Sequence, residues 1–384
     1  MTHEVVVTGI GAVTCHGNGT DALWRAMTAA GVRLPDRPAD PHARMDRPLI
    51  NLVPDRSAGQ ADPETRASGF ALTAAREALA DAGLHDGLPA GSAVVLGSCM
   101  GEPGLNERGR GADGTWRPPF RLASQVAAEL GLFGTAHEIA NACAAGGYAL
   151  GAAADLIRSG EADVVLAGGS DAYSRVALGC FNRLGAVDPV RCRPFDRQRA
   201  GTVFAEGAGL LVLESAAHAA ARGARSALRL TGAGWSCDAG HPTAPESEGE
   251  QIERAMREAV GPDAGPVGCV IPHGTGTQLN DVIESRVLHR VFGAAAADLP
   301  LYSLKALLGH AGGASAALGA VAAALILRHG SIPPNVPVED PDEQCEVRLP
   351  GGSATALPAG ARRVLVNAYA FGGNNASLVL EEAA

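Results

Sequence analysis

The sequence predicts an α/β protein built from two copies of one unit, layered as sheets and helices around a single body. Three observations carry this. Short runs of β-branched and other apolar residues end at glycines, as buried strands do. Two long Ala-rich segments carry almost no charge, as helices buried on all sides do. The order of elements in the first part of the chain also starts again in the second.

The first strand is Val5-Val6-Val7-Thr8, which ends at Gly9-Ile10-Gly11. A Pro-, Arg- and Asp-rich loop is expected over 34–63. A helix follows with Phe70, Ala74, Ala78 and Leu79 inward, stopping near Gly83. Ala93-Val94-Val95-Leu96 reads as a buried strand, running into Gly97-Ser98-Cys99-Met100-Gly101. Residues 102–120 read as a long excursion, and a helix near 122–130 leads to another strand. The helix over 149–158 has Ala149, Leu150, Ala153 and Ile157 on one stripe. A buried strand over 163–167 and a hairpin over 199–214 complete the first half. Val7-Thr8-Gly9-Ile10-Gly11 is then echoed by Leu230-Thr231-Gly232-Ala233-Gly234, and Arg76-Glu77-Ala78 by Arg257-Glu258-Ala259. The strand ending at Gly97 is echoed by Cys269-Val270-Ile271, Ala149-Leu150-Gly151 by Ala317-Leu318-Gly319, and Leu211-Val212-Leu213-Glu214 by Leu378-Val379-Leu380-Glu381. The expected division is 1–225 and 226–384.

Composition narrows the function. With 384 residues and 46% apolar content the chain can bury a large core. A net charge of -10 disfavours nucleic acid as a partner. The eight cysteines are scattered, with no zinc-type spacing, so no metal site is expected. The first residues show no basic stretch followed by an apolar one, so no leader is read there and a reduced, cytoplasmic setting is expected. Residues 311–327 lack charge but are mostly Ala and Gly. They read as a buried helix rather than a membrane span.

Cys143 is the first candidate for chemistry. It lies between an apolar run and a helix, where free N–H groups and the positive end of the helix dipole favour a thiolate. Read alone, it could equally be a small core residue. The repeat supplies a twin: as the first copy's Ala-rich helix starts after Cys143, the second copy's starts after His310. Pseudo-twofold symmetry would bring the two starts together, with His273 on a loop at the same cleft. Lys305 is the only lysine in an Arg-biased chain, which points to a position where a compact ammonium is needed.

Four motifs occur in order: Ala142-Cys143-Ala144, His273-Gly274-Thr275-Gly276-Thr277, Lys305 through Gly309-His310, and Phe371-Gly372-Gly373. Pro194-Phe195-Asp196 and Glu206-Gly207-Ala208-Gly209 support them. With these motifs the whole chain resembles a β-ketoacyl-acyl carrier protein synthase of the Cys-His-His type. The resemblance implies a thiolase-like fold of αβαβα layers and a decarboxylating Claisen condensation in polyketide or specialised fatty-acid synthesis. It implies that Cys143 carries the acyl group, and that the N–H groups of Cys143 and Phe371 form an oxyanion hole. His273 and His310 would stabilise the enolate, with Lys305 holding His310 and pairing with Glu284. Thr275 and Thr277 would bind the pantetheine arm, while Gly372 and Gly373 let the Phe371 loop gate the pocket. No resident cofactor is implied, because the phosphopantetheine arm arrives on the acyl carrier protein. A homodimer, or a heterodimer with a chain-length-type subunit, is the implied assembly.

The sequence departs from the family at Ala200, where Asp is usual, at Leu304 in place of Thr, and at Ala370 in place of Gly. The excursion before Cys143 is also short. These changes point to a specialised member. Three other functions fit the residues less well. An acyltransferase to an O or N nucleophile would not need both histidines, and a scaffold subunit would lack Cys143. A degradative thiolase would need a second catalytic cysteine near the C-terminus, where the last is Cys345. Arg110, Arg117 and Arg121 are the candidate basic patch for an acidic carrier.

Overall fold

The computed structural model describes residues 3–54, 64–107, 116–224, 228–262 and 265–383. Its main strands are β1 (Val5–Thr14), β2 (Ala93–Gly97), β3 (Ala136–Ile139), β4 (Val164–Asp171), β5 (Gly207–Ser215), β6 (Leu228–Cys237), β7 (Cys269–Ile271), β8 (Arg363–Tyr369) and β9 (Asn374–Glu382). Its helices are α1 (Thr20–Ala29), α2 (Arg66–Asp81), α3 (Leu122–Glu129), α4 (Ala145–Arg158), α5 (Arg175–Arg183), α6 (Glu250–Val260), α7 (Asn280–Phe292), α8 (Leu304–Leu308) and α9 (Ser315–His329), besides single turns.

The sheet runs β7-β8-β9-β6-β1-β5-β4-β2-β3, and a two-residue strand, Gly17–Asn18, pairs with β1. Counted outward from its centre, one side reads β1, β5, β4, β2, β3. The other reads β6, β9, β8, β7, and Leu301 bridges to Val270 at the far edge. Every echoed pair of strands therefore occupies an equivalent place. The halves meet at β1 and β6, where Val6 pairs with Arg229 and Val7 with Leu228. Helices α4 and α9 touch strands of both halves and lie between them, while α2 and α6 cover the outer faces. Residues 315–327 of α9 are all buried, which explains their lack of charge. Gly312–His329 is long and apolar enough to cross a membrane but is 83% buried.

Small side chains set the distance between the central helices. A Cβ added to Gly146 would lie 2.5 Å from the Gly313 carbonyl oxygen. Only a bare Cα lets the start of α4 sit against the turn before α9.

Several expectations are corrected. β1 runs on to Thr14, and α1 was not anticipated, since its moderately apolar face follows two glycines. The helix after Cys143 starts at Ala145 rather than near Ala149. Residues 199–214 do not form a hairpin. Phe204–Ala205 pairs in parallel with Ile50–Asn51, and β5 is inserted between β1 and β4. Turn residues suggested a local return, but the twisted sheet offered β5 two long-range partners instead. Parts of the expected loop over 34–63 and the excursion over 102–120 lie outside the described residues, as does Arg110. Arg117 is paired with Glu64 at 3.0 Å.

Gly146→Ala should therefore destabilise the protein by about 1–3 kcal/mol, as overpacking does. A denaturant midpoint that stays at the wild-type value would contradict the close helix contact.

Candidate active site

Cys143 sits in a tight turn, Ala142–Ala144, immediately before α4. Ala142 has a φ of 47°, a left-handed conformation that costs a non-glycine residue energy and turns the chain sharply into the helix. Cys143 is buried. Its thiol is held well below its ordinary value by a hydrogen bond with Cys99, opposed by burial and aided by His310 and Lys305. Cys99 takes the proton-bearing role, its thiol pushed well above the ordinary range by that same contact and by burial. Both shifts act in the direction of a thiolate on Cys143.

Asp171, at the end of β4, braces this arrangement. Its carboxylate accepts from Ser98 Oγ at 2.7 Å, the Cys99 N–H at 2.9 Å, the Met100 N–H at 3.2 Å and the Gly313 N–H at 2.6 Å. One buried side chain thus ties the loop after β2 to the turn before α9. Burial pushes it up to about 6.

His273 follows β7 on a turn gripped from below by α7. Glu284 accepts from the N–H groups of His273 and Gly274, both at 2.8 Å, and from Asn367 Nδ2 at 3.2 Å. Asp281 accepts from the N–H groups of Thr275 and Gly276. Burial drives Glu284 up to about 7. The His273 ring is held well below its ordinary value by burial, then by Lys305 and His310, so it is a neutral imidazole at neutral pH. Among the described residues its Nδ1 has no hydrogen-bond partner.

Lys305 corrects the expectation. It neither holds the His310 ring nor forms a close ion pair with Glu284. Its Nζ donates to the His273 carbonyl oxygen at 2.5 Å. Burial lowers it, and Glu284 acts in the other direction through space. The sequence marked the right residue but not its contact, because the carbonyl of His273 carries no sequence signature. His310 is held by its main chain and by Ser315. Its N–H donates to the Val203 carbonyl at 2.7 Å, and its Nδ1 lies 2.8 Å from Ser315 Oγ.

Aromatic rings link Phe371 to the centre of the site. Phe371 stacks on Phe181 with centroids 4.8 Å apart, and Phe181 meets Phe204 edge-on at 4.6 Å. Phe204 lies parallel to His310, and His310 meets His273 at 5.6 Å. Gly372 and Gly373 have φ values of 86° and 80°, and the Gly372 N–H donates to the Pro242 carbonyl. Ala370 lies outside the left-handed region, so its methyl introduces no backbone strain there.

A cavity of about 350 Å³ brings together Cys143, His273, His310, Thr275, Thr277 and Phe371. Thr275 and Thr277 share a hydroxyl contact of 2.9 Å at its wall. Lys305 and Glu284 stand behind it, and Gly372 and Gly373 form the turn beside it without lining it. Cys99, Asp171 and Ser315 were missed from sequence; Cys99 stood only as one of eight scattered cysteines. Among the described residues no cluster of three or more His, Cys, Asp or Glu is placed to hold a metal ion.

Because the Cys99 thiol favours the Cys143 thiolate, Cys99→Ala should move the pH midpoint of Cys143 alkylation upward. Peptide mass analysis after iodoacetamide treatment across pH measures this, and an unmoved midpoint would contradict the assigned pair.

Comparison with known proteins agrees with this geometry. Residues 2–219 match the beta-ketoacyl synthase N-terminal domain and residues 228–339 its C-terminal domain. Nodulation protein E of Rhizobium meliloti is 34% identical over 410 aligned positions, covering all of both chains. Two solved structures also span both chains completely. The ishigamide ketosynthase/chain length factor is 35% identical with a TM-score of 0.88. The AntDE:AntF complex of a type II acyl carrier protein with its ketosynthase bound to the hexaketide is 28% identical with a TM-score of 0.88. Motifs, sheet order and the Cys-His-His cavity converge on one conclusion: this chain is a member of the β-ketoacyl synthase family, with a thiolase-like fold.

Proposed function

We propose that this protein is a decarboxylating condensing enzyme acting on carrier-bound thioesters in polyketide or specialised fatty-acid biosynthesis. The convergence of Cys143, His273 and His310 on one cavity carries this reading. The Cys143 thiolate attacks the carbonyl carbon of an acyl thioester, the tetrahedral oxyanion collapses, and the carrier leaves as its thiol after taking up a proton. Among the described residues, no protein acceptor engages the N–H of Cys143 or of Phe371, which leaves both for that oxyanion.

A malonyl-type thioester then occupies the cavity, its pantetheine arm along Thr275 and Thr277. Its carboxylate departs as CO2, and the electron pair from the broken C–C bond forms an enolate. The imidazole N–H groups of His273 and His310 donate to the enolate oxygen. A neutral imidazole suits this step, since it donates without protonating the carbon. The carbanion attacks the acyl carbonyl on Cys143, and the C–S bond breaks to return the thiolate. The product is a β-ketoacyl thioester on the carrier.

An acyl carrier protein is the proposed partner, as in the AntDE:AntF complex. The proposed assembly is a homodimer, or a heterodimer with a chain-length subunit, as in the ishigamide pair. Eight free thiols support a reduced, cytoplasmic setting. No resident cofactor takes part in these steps.

His273→Ala and His310→Ala should each still acquire an acyl adduct on Cys143. Each should lose about a hundredfold or more in malonyl-carrier decarboxylation, the range typical of general acid–base groups. Intact mass reports the first step and CO2 release the second. Decarboxylation near the wild-type rate in both variants would refute the assignment and favour simple acyl transfer.

A further inference from the structure

The two histidines of the cavity look interchangeable in the sequence, yet the structure equips them differently. His273 Nδ1 is buried and has no hydrogen-bond partner among the described residues. His310 Nδ1 lies 2.8 Å from the hydroxyl of Ser315, and both residues are buried. Ser315 is the first residue of α9, and the single turn Gly312–Ala314 brings it back beside the ring. Phe204 covers one face of that ring with an interplanar angle of 1°. With Nδ1 turned to Ser315, Nε2 is the nitrogen left to face the cavity that His310 shares with Cys143.

A hydroxyl differs from other partners a buried imidazole could have. A backbone carbonyl only accepts and a backbone N–H only donates, whereas a serine hydroxyl does either by rotating its O–H. His310 needs both. When it holds the proton that leaves Cys143, both ring nitrogens are donors and Nδ1–H requires an acceptor. When it is neutral and donates through Nε2, Nδ1 is bare and requires a donor.

We propose that Ser315 is a positioning residue for His310, keeping Nε2 aimed at Cys143 through both halves of the reaction. During acylation its oxygen accepts from the Nδ1–H of the protonated ring. During decarboxylation its O–H donates to bare Nδ1, which fixes the tautomer that presents Nε2–H to the enolate oxygen. Ser315 itself gains and loses no proton. The titratable groups around this ring are Cys143 from the turn before α4, Cys99 from the loop after β2, His273 from the loop after β7, Glu284 on α7, Lys305 on α8 and Asp171 at the end of β4. The proposal rests on the condensing reading, and its test separates the two.

The variants are Ser315→Ala and Ser315→Thr, compared with wild type. One readout is kcat and KM for decarboxylation of malonyl carrier protein. Another is the pH profile of Cys143 carbamidomethylation by iodoacetamide, followed on the Cys143 peptide. The third is the melting temperature. Ser315→Ala should lower kcat roughly tenfold or more with KM unchanged, the size of effect expected when a histidine loses its orienting partner. It should also move the alkylation midpoint upward, since the protonated ring loses its acceptor. Ser315→Thr, which keeps the hydroxyl, should recover both. Ser315→Ala with wild-type kcat and wild-type alkylation profile would overturn the proposal. So would a loss that tracks a fallen melting temperature and leaves the alkylation profile unmoved, since that is a packing effect. If wild type fails to decarboxylate malonyl carrier protein, the condensing reading fails, and the alkylation profile still decides whether Ser315 governs His310.

Discussion

The structure depends on the contact between two helix starts. The turn before α4 carries Cys143, and the turn before α9 follows His310. They meet because Gly146 has no side chain to strike the Gly313 carbonyl, and Gly313 has none to strike the backbone of Ser98 and Cys99. Each turn on its own would be a common helix entry. Together they place a thiol and an imidazole from distant parts of the chain at one cavity. Asp171 reinforces the contact by accepting N–H groups from both the Cys99 loop and Gly313. The nucleophile is thus fixed by backbone, and its neighbours decide its charge.

Those neighbours form a buried electrostatic group. Lys305 is buried and reaches the His273 carbonyl, while Glu284 reads the same turn through two N–H groups. A cation placed there disfavours protonation of His273 and favours the Cys143 thiolate at the same time. One residue therefore prepares two reacting groups in opposite senses. A guanidinium would bring five donors and a wider fork to a space built for one ammonium. That accounts for a single lysine in a chain that otherwise uses arginine.

Much of this was legible in the sequence. The strands read clearly because Val-rich runs such as 5–7 and 93–96 are buried on both faces, and the repeat gave the pairing of Cys143 with His310. Gly372, Gly373 and the two threonines also stood in recognisable motifs. What escaped was non-local. Residues 199–214 looked like a hairpin because turn residues speak only of local geometry, whereas β5 found its partners across the sheet. Ser315 lies five positions after His310, a spacing that meets only because a single tight turn intervenes. Cys99 and Asp171 face the site through the order of strands β2 and β4, which no short motif encodes. The contact of Lys305 went to a backbone carbonyl, and backbone carbonyls are invisible in a sequence.

The central claim is that Cys143, His273 and His310 act as one site that couples decarboxylation to carbon–carbon bond formation. A single-turnover measurement tests it most directly. Cys143 is first loaded with an acyl group, malonyl carrier protein is added, and CO2, the Cys143 adduct and the carrier mass are followed together. The account predicts one CO2 released for each acyl group that leaves Cys143 and each β-ketoacyl carrier formed, all with the same time course. Acyl groups that leave Cys143 without CO2 release, or CO2 release with no β-ketoacyl carrier, would contradict it.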